Sequence, residues 1–87
     1  DTWLPQIKRD QSSVQKLEDG SFNVVLAGED AISSIKFIKA IDKATWKVLV
    51  DMTTSAVQFN AKSADITVEI ADSYGNVLRQ DINLNNF

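Results

Sequence analysis

Hydrophobic and polar residues alternate with a period of two over short runs, the pattern that puts alternate side chains on opposite faces of an extended strand. Phe22, Val24 and Leu26 alternate with Asn23, Val25 and Ala27, and Trp46, Val48 and Val50 with Lys47, Leu49 and Asp51. Ile66, Val68 and Ile70 alternate with Thr67, Glu69 and Ala71; Leu78, Ile82 and Leu84 share a face opposite Arg79, Asp81 and Asn83. The runs have ordinary strand length and are rich in β-branched and aromatic residues. Turn residues separate them. Asp19-Gly20 joins a strand near Ser13–Leu17 to the one opening at Ser21, and Asp72 to Asn76 joins the last two runs. In the second turn Gly75 supplies a positive φ without steric cost, and Asn76 tolerates one better than most residues, so a hairpin with a short loop is expected. Pro5 stands at the front, where it marks a strand start or an edge without breaking a ladder.

The segment Ala31 to Ile41 fits either period. Ile32, Ile35 and Ile38 are three apart, and Glu29-Asp30 would suit a helix N-terminus. Four isoleucines and Phe37 in that segment favour extended structure instead, and Ile35-x-Phe37 alternates with Ser34 and Lys36. The reading adopted is a strand. The expected strands are then Gln6–Asp10, Val14–Leu17, Phe22–Ala27, Ile35–Ile41, Trp46–Val50, Ala56–Asn60, Ile66–Ala71 and Val77–Leu84, with the first two able to merge into one broken edge strand. About seven short strands with turns at that spacing predict a single all-β domain, an antiparallel immunoglobulin-like sandwich over residues 1–87. A single sheet would leave an apolar face wet; two packed sheets bury both.

Composition narrows the function classes. The apolar fraction is 44% and the charged fraction 24%, ordinary for a globular chain and too apolar for disorder. The chain has no cysteine and no histidine. That excludes a structural zinc site and any Ser-His or Cys-His nucleophile pair. Net charge is −3 and only Lys8-Arg9 are adjacent among the basic residues, so no phosphate-binding patch is expected and nucleic acid is not a partner. No apolar run reaches the roughly 20 residues of a membrane span. No signal-peptide pattern opens the chain, and a start at Asp1 reads as a processed or excised segment.

The remaining chemistry is sparse. Carboxylate pairs such as Asp51 with Asp65 or Glu29 with Asp30 carry no catalytic motif, and Gly20, Gly28 and Gly75 do not form a phosphate-cradling loop. Asp19, Glu29, Asp30 and Asp72 fall in expected loops, but without the spaced ladder of acids that calcium loops use, so no metal or cofactor is assigned. The aromatic residues carry more weight, because a sugar ring stacks on an exposed indole or phenol. Trp3, Trp46 and Tyr74 are the ligand-binding candidates. Trp46 shares its face with Val48 and Val50 and reads first as a core anchor; Trp3 beside Leu4-Pro5 caps the core or meets a neighbouring domain; Tyr74 occupies a hairpin tip. Gln58, Asn60, Thr67 and Glu69 read as solvent-facing strand positions. Lys36, Lys39, Lys43 and Lys47 punctuate the middle strands and oppose sheet-to-sheet association, which favours a monomer or a tethered module.

The stretch A-D-I-T-V-E-I-A-D-S-Y-G-N-V-L-R-Q-D-I, Ala64 to Ile82, resembles the final hairpin of bacterial immunoglobulin-like or fibronectin-III-like modules. Those modules stand beside secreted hydrolases, lipoproteins and calcineurin-like phosphoesterases. I-S-S-I-K-F, Ile32 to Phe37, is similar to their third-strand phrase. The cysteine pair of antibody-type domains is missing. The resemblance implies a non-catalytic accessory module, extracellular or periplasmic, that spaces or braces a neighbouring domain of the same polypeptide. A carbohydrate-binding module for a polysaccharide is the alternative, and a fragment lending loop residues to a phosphoesterase or glycosidase site is a third reading.

Overall fold

The computed structural model describes residues 4–30 and 34–87. It contains eight strands: β1 (Gln6–Ile7), β2 (Ser13–Lys16), β3 (Phe22–Glu29), β4 (Ile35–Asp42), β5 (Val48–Met52), β6 (Ala56–Ala61), β7 (Asp65–Asp72) and β8 (Val77–Asn83). They form two antiparallel sheets packed as a sandwich. In one sheet, β3 pairs with β6 on one side and with β1 and β2 on the other; the second runs β5-β4-β7-β8. The all-β sandwich expected from the alternation is therefore present, and Ile35–Asp42 is a strand, not a helix.

β1 and β2 are one edge strand interrupted by a 3-10 turn at Arg9–Gln11. Gln6 and Ile7 register with Glu29 and Gly28, and Ser13 to Lys16 with Val25 to Phe22. At the interruption the Lys8 amide still donates to the Ala27 carbonyl (2.8 Å), while the Ala27 amide donates to Ser12 Oγ (3.0 Å). Ser12 Oγ in turn donates to the Lys8 carbonyl (2.8 Å). One hydroxyl thus replaces a backbone ladder position and keeps a buried amide paired.

The core lies between the layers. Phe22, Val24 and Leu26 of β3 and Val57 and Phe59 of β6 face Ile38 and Ala40 of β4, Ile66, Val68 and Ile70 of β7, and Ile82 of β8. Each fully buried aliphatic contributes about 1.5–3 kcal/mol relative to an exposed one. Gly28 lies on the same β3 face, two residues past Leu26. Its lack of a side chain admits Ile70 and Ile35 from the opposite sheet, which would stand 3.2 and 3.4 Å from a Cβ placed there.

Two strands depart from strict alternation. The β4–β7 register shifts between Ile35 and Phe37, a bulge around the exposed Lys36. Ile35 and Ile38 consequently both pack on the core, whereas Phe37 pairs with Ala71 and does not join it. The expected Ile35-x-Phe37 alternation is corrected accordingly. The β4–β5 register also shifts, between Ala40 and Ile41, which leaves Leu49 as the extra residue; Leu49 and Val50 pack inward and Val48 is exposed. The fifth strand begins at Val48, and Trp46 belongs to the preceding turn.

Gly28→Ala is expected to lower stability by about 1–3 kcal/mol in a urea titration. Ile70 is fully buried on a central strand and has little room to retreat from an added methyl.

Candidate functional site

The Asp72–Asn76 hairpin turn is organised by one carboxylate. Asp72 closes β7 with its side chain fully buried. Its Oδ1 accepts from the amides of Tyr74 and Asn76, both at 2.9 Å, and its Oδ2 accepts from Asn76 Nδ2 at 3.0 Å. Gly75 takes φ +86°. The Ser73 amide donates to the Ser34 carbonyl (3.1 Å), and the two serine hydroxyls are 2.7 Å apart, which ties the tip to the start of β4. Tyr74 stands on this braced tip with 66% of its surface exposed.

Burial penalises a charged Asp72, but hydrogen bonds from the Asn76 side chain, the amides of Asn76 and Tyr74 and the Asp30 side chain outweigh that and hold its pKa below the ordinary carboxylate value. Asp72, an expected loop acid, is therefore a turn organiser. Asp19 plays the same part at the β2–β3 turn, where its Oδ1 accepts from Ser21 Oγ (2.6 Å) and the Ser21 amide (2.9 Å) and its pKa is lowered by those bonds. Among the described residues no three carboxylates gather into a metal-holding group.

The opposite end of the second sheet carries the Asp42–Lys47 turn. The buried Asp42 accepts at Oδ1 from the Ala44 amide (2.9 Å) and Ser63 Oγ (3.3 Å). Its amide donates to the Lys47 carbonyl (2.8 Å), and the Trp46 amide donates to the Asp42 carbonyl (2.7 Å). These bonds hold Trp46 at φ +59°, a left-handed conformation uncommon for a bulky side chain. Trp46 is 60% exposed, as is Val48 at 47%. The core-anchor expectation for Trp46 is overturned, because the turn places the indole outside the strand whose period it seemed to share.

Between the two ends, charges alternate across the outer face of the second sheet. Asp51, Lys39, Glu69 and Arg79 occupy one cross-strand row, each facing an opposite sign. Below it Asp81 receives Lys43 Nζ (2.9 Å) and Thr67 Oγ1 (2.8 Å). The Lys43 ammonium lowers the Asp81 pKa and is itself raised by Asp81, an exposed pair of small energetic weight. Thr67 is almost fully buried beneath this pair, not a solvent-facing position as its place in the alternation suggested. On the other sheet's outer face, Gln15, Asn23 and Asn60 make a row of amides, with Asn60 Nδ2 donating to Asn23 Oδ1 at 3.1 Å. Gln58 and Asn60 are exposed as expected.

Trp46 and Tyr74 are not brought together. They lie beyond opposite ends of β7, separated by about 20 Å of extended strand. Trp3 lies outside the described residues. No protein-family model, curated protein or solved structure matches the chain.

Because the folded Asp72 has the lower pKa, its stabilisation is complete above the unfolded carboxylate value and is lost as pH falls through the folded one. From about pH 4 downward the melting temperature should fall. Asp72→Asn should lower it at pH 7 and make the acid slope shallower, leaving the part due to Asp19 and Asp81. Thermal melts between pH 7 and 2 measure both.

Proposed function

We propose that this chain is a non-catalytic accessory module of a larger extracytoplasmic bacterial protein, of the immunoglobulin-like or fibronectin-III-like kind, which spaces or braces a neighbouring domain. The observation that carries the proposal is the path of the chain. β1 begins opposite Glu29, at the end where β7 closes on the Asp72 turn, and β8 finishes opposite Asp65 at the other end. β1 and β8 belong to different sheets, and after β8 the chain packs back on the core, where the Arg9 guanidinium lies 4.9 Å from the Phe87 ring; segments joined before β1 and after β8 would leave from separate layers of one rigid body. Strand order supports the family reading. Antibody constant domains put their fourth strand in the same sheet as their fifth; here β5 lies beside β4 in the other sheet from β6, which departs from that branch and leaves the wider class of immunoglobulin-like sandwiches as the family reading. The extracytoplasmic setting comes from the resemblance of Ala64–Ile82.

Small-angle scattering on the parent polypeptide tests this. The flanking domains are expected to be held at a fixed separation by the sandwich and to draw together when residues 1–87 are deleted. A native gene encoding only these residues, or measurable turnover by the isolated chain, sinks the reading.

The second reading, a carbohydrate-binding module, is favoured by the exposed indole of Trp46 and phenol of Tyr74. Their separation means that a sugar ring stacks on one of them, not across both. In affinity electrophoresis against polysaccharides, retardation that Trp46→Ala or Tyr74→Ala abolishes supports the reading; unretarded migration in every gel ends it.

A further inference from the structure

A sandwich has four outer strand edges, and in this chain they are not alike. The β1/β2 edge is broken by the Arg9–Gln11 turn and ends on Lys16. The β5 edge is bulged at Leu49 and carries Asp51. The β8 edge carries Arg79 and Asp81. Charges, bulges and interruptions are the devices by which edges refuse a further strand. The β6 edge has none of them: Ala56–Ala61 reads A-V-Q-F-N-A, without charge or proline, and its register with β3 runs unbroken from Ala56 to Ala61.

The unused backbone groups of β6 point outward. The Gly28 amide donates to the Ser55 carbonyl (2.8 Å), which fixes the phase of the ladder. Ser55, Val57, Phe59 and Ala61 bond to β3, so the backbone amides and carbonyls of Gln58 and Asn60 face away from it. Their side chains are exposed as well.

We infer that this edge pairs with the same edge of a second copy of the chain, antiparallel about a two-fold axis at Gln58. The sequence is self-complementary in that register. Gln58 faces its counterpart, Ala56 faces Asn60, and Thr54 faces Lys62, so no like charges meet. The β1/β2–β3–β6 sheets of the two copies then join into one continuous sheet, and the amide-rich outer face continues across the axis. A six-residue edge makes a small interface, so association is weak and reversible.

Sedimentation equilibrium on the chain should show a mass rising with concentration from 9.6 kDa toward twice that value. Gln58→Lys, at an exposed position outside the core, places two ammonium groups face to face and should weaken association by about tenfold or more. Gln80→Lys on the β8 edge should leave it unchanged. Hydrogen exchange at the Gln58 and Asn60 amides should slow as concentration rises. A mass that stays at the monomer value up to the solubility limit overturns the inference. So does a dimer that Gln58→Lys leaves intact, or one that an extended peptide of other sequence replaces at the β6 edge without competition from the chain itself.

Discussion

The interlocking of side chains between the two sheets is the interaction on which everything else rests. No disulfide can staple a chain without cysteine, so the layers are held by Val24 and Leu26 from one side and Ile38, Ile66, Val68 and Ile70 from the other. Gly28 lets that interlock continue past the last large β3 side chain, because Ile70 and Ile35 fill the space its missing side chain leaves. A core of this kind specifies the layer spacing and the register of every strand that lends it a residue. It leaves the strand ends and outer faces comparatively free.

The free surfaces are where polar chemistry is concentrated, and it is used chiefly for shape. Asp19, Asp42 and Asp72 each hold a turn by accepting backbone amides at short range. The outer row Asp51–Lys39–Glu69–Arg79 pairs opposite signs across strands, which steadies the register at modest energy. Asp19, Asp42, Asp72 and Asp81 are each taken up by neighbouring amides, hydroxyls or an ammonium. That distribution fits the proposed spacing or bracing role, and among the described residues Trp46 and Tyr74 are the aromatic side chains most open to solvent.

Much of this was legible along the chain. Alternating aliphatics in Phe22–Leu26, Ile66–Ile70 and Leu78–Leu84 identified the strands and their inward faces, since a strand's period is a local property of extended backbone. Gly20 and Gly75 marked their turns for the same local reason, both adopting positive φ. The interruption of the first edge strand was also readable as a break between two short runs. Less legible were Phe37 and Val48, whose faces depend on bulges, and Thr67, whose burial depends on Asp81 and Lys43 lying over it. Trp46 was misplaced because a left-handed turn residue looks, in one dimension, like the first residue of the strand that follows.

By itself the sequence determined the extended character of the chain, its inward apolar faces and its hairpin turns, because alternation and turn chemistry act over a few neighbouring residues. Tertiary structure alone decided where the ladders slip, which strands became edges, and that Trp46 and Tyr74 stand at opposite ends of one sheet. Those outcomes depend on pairing between residues distant in sequence, and no local period encodes which strand lies beside which.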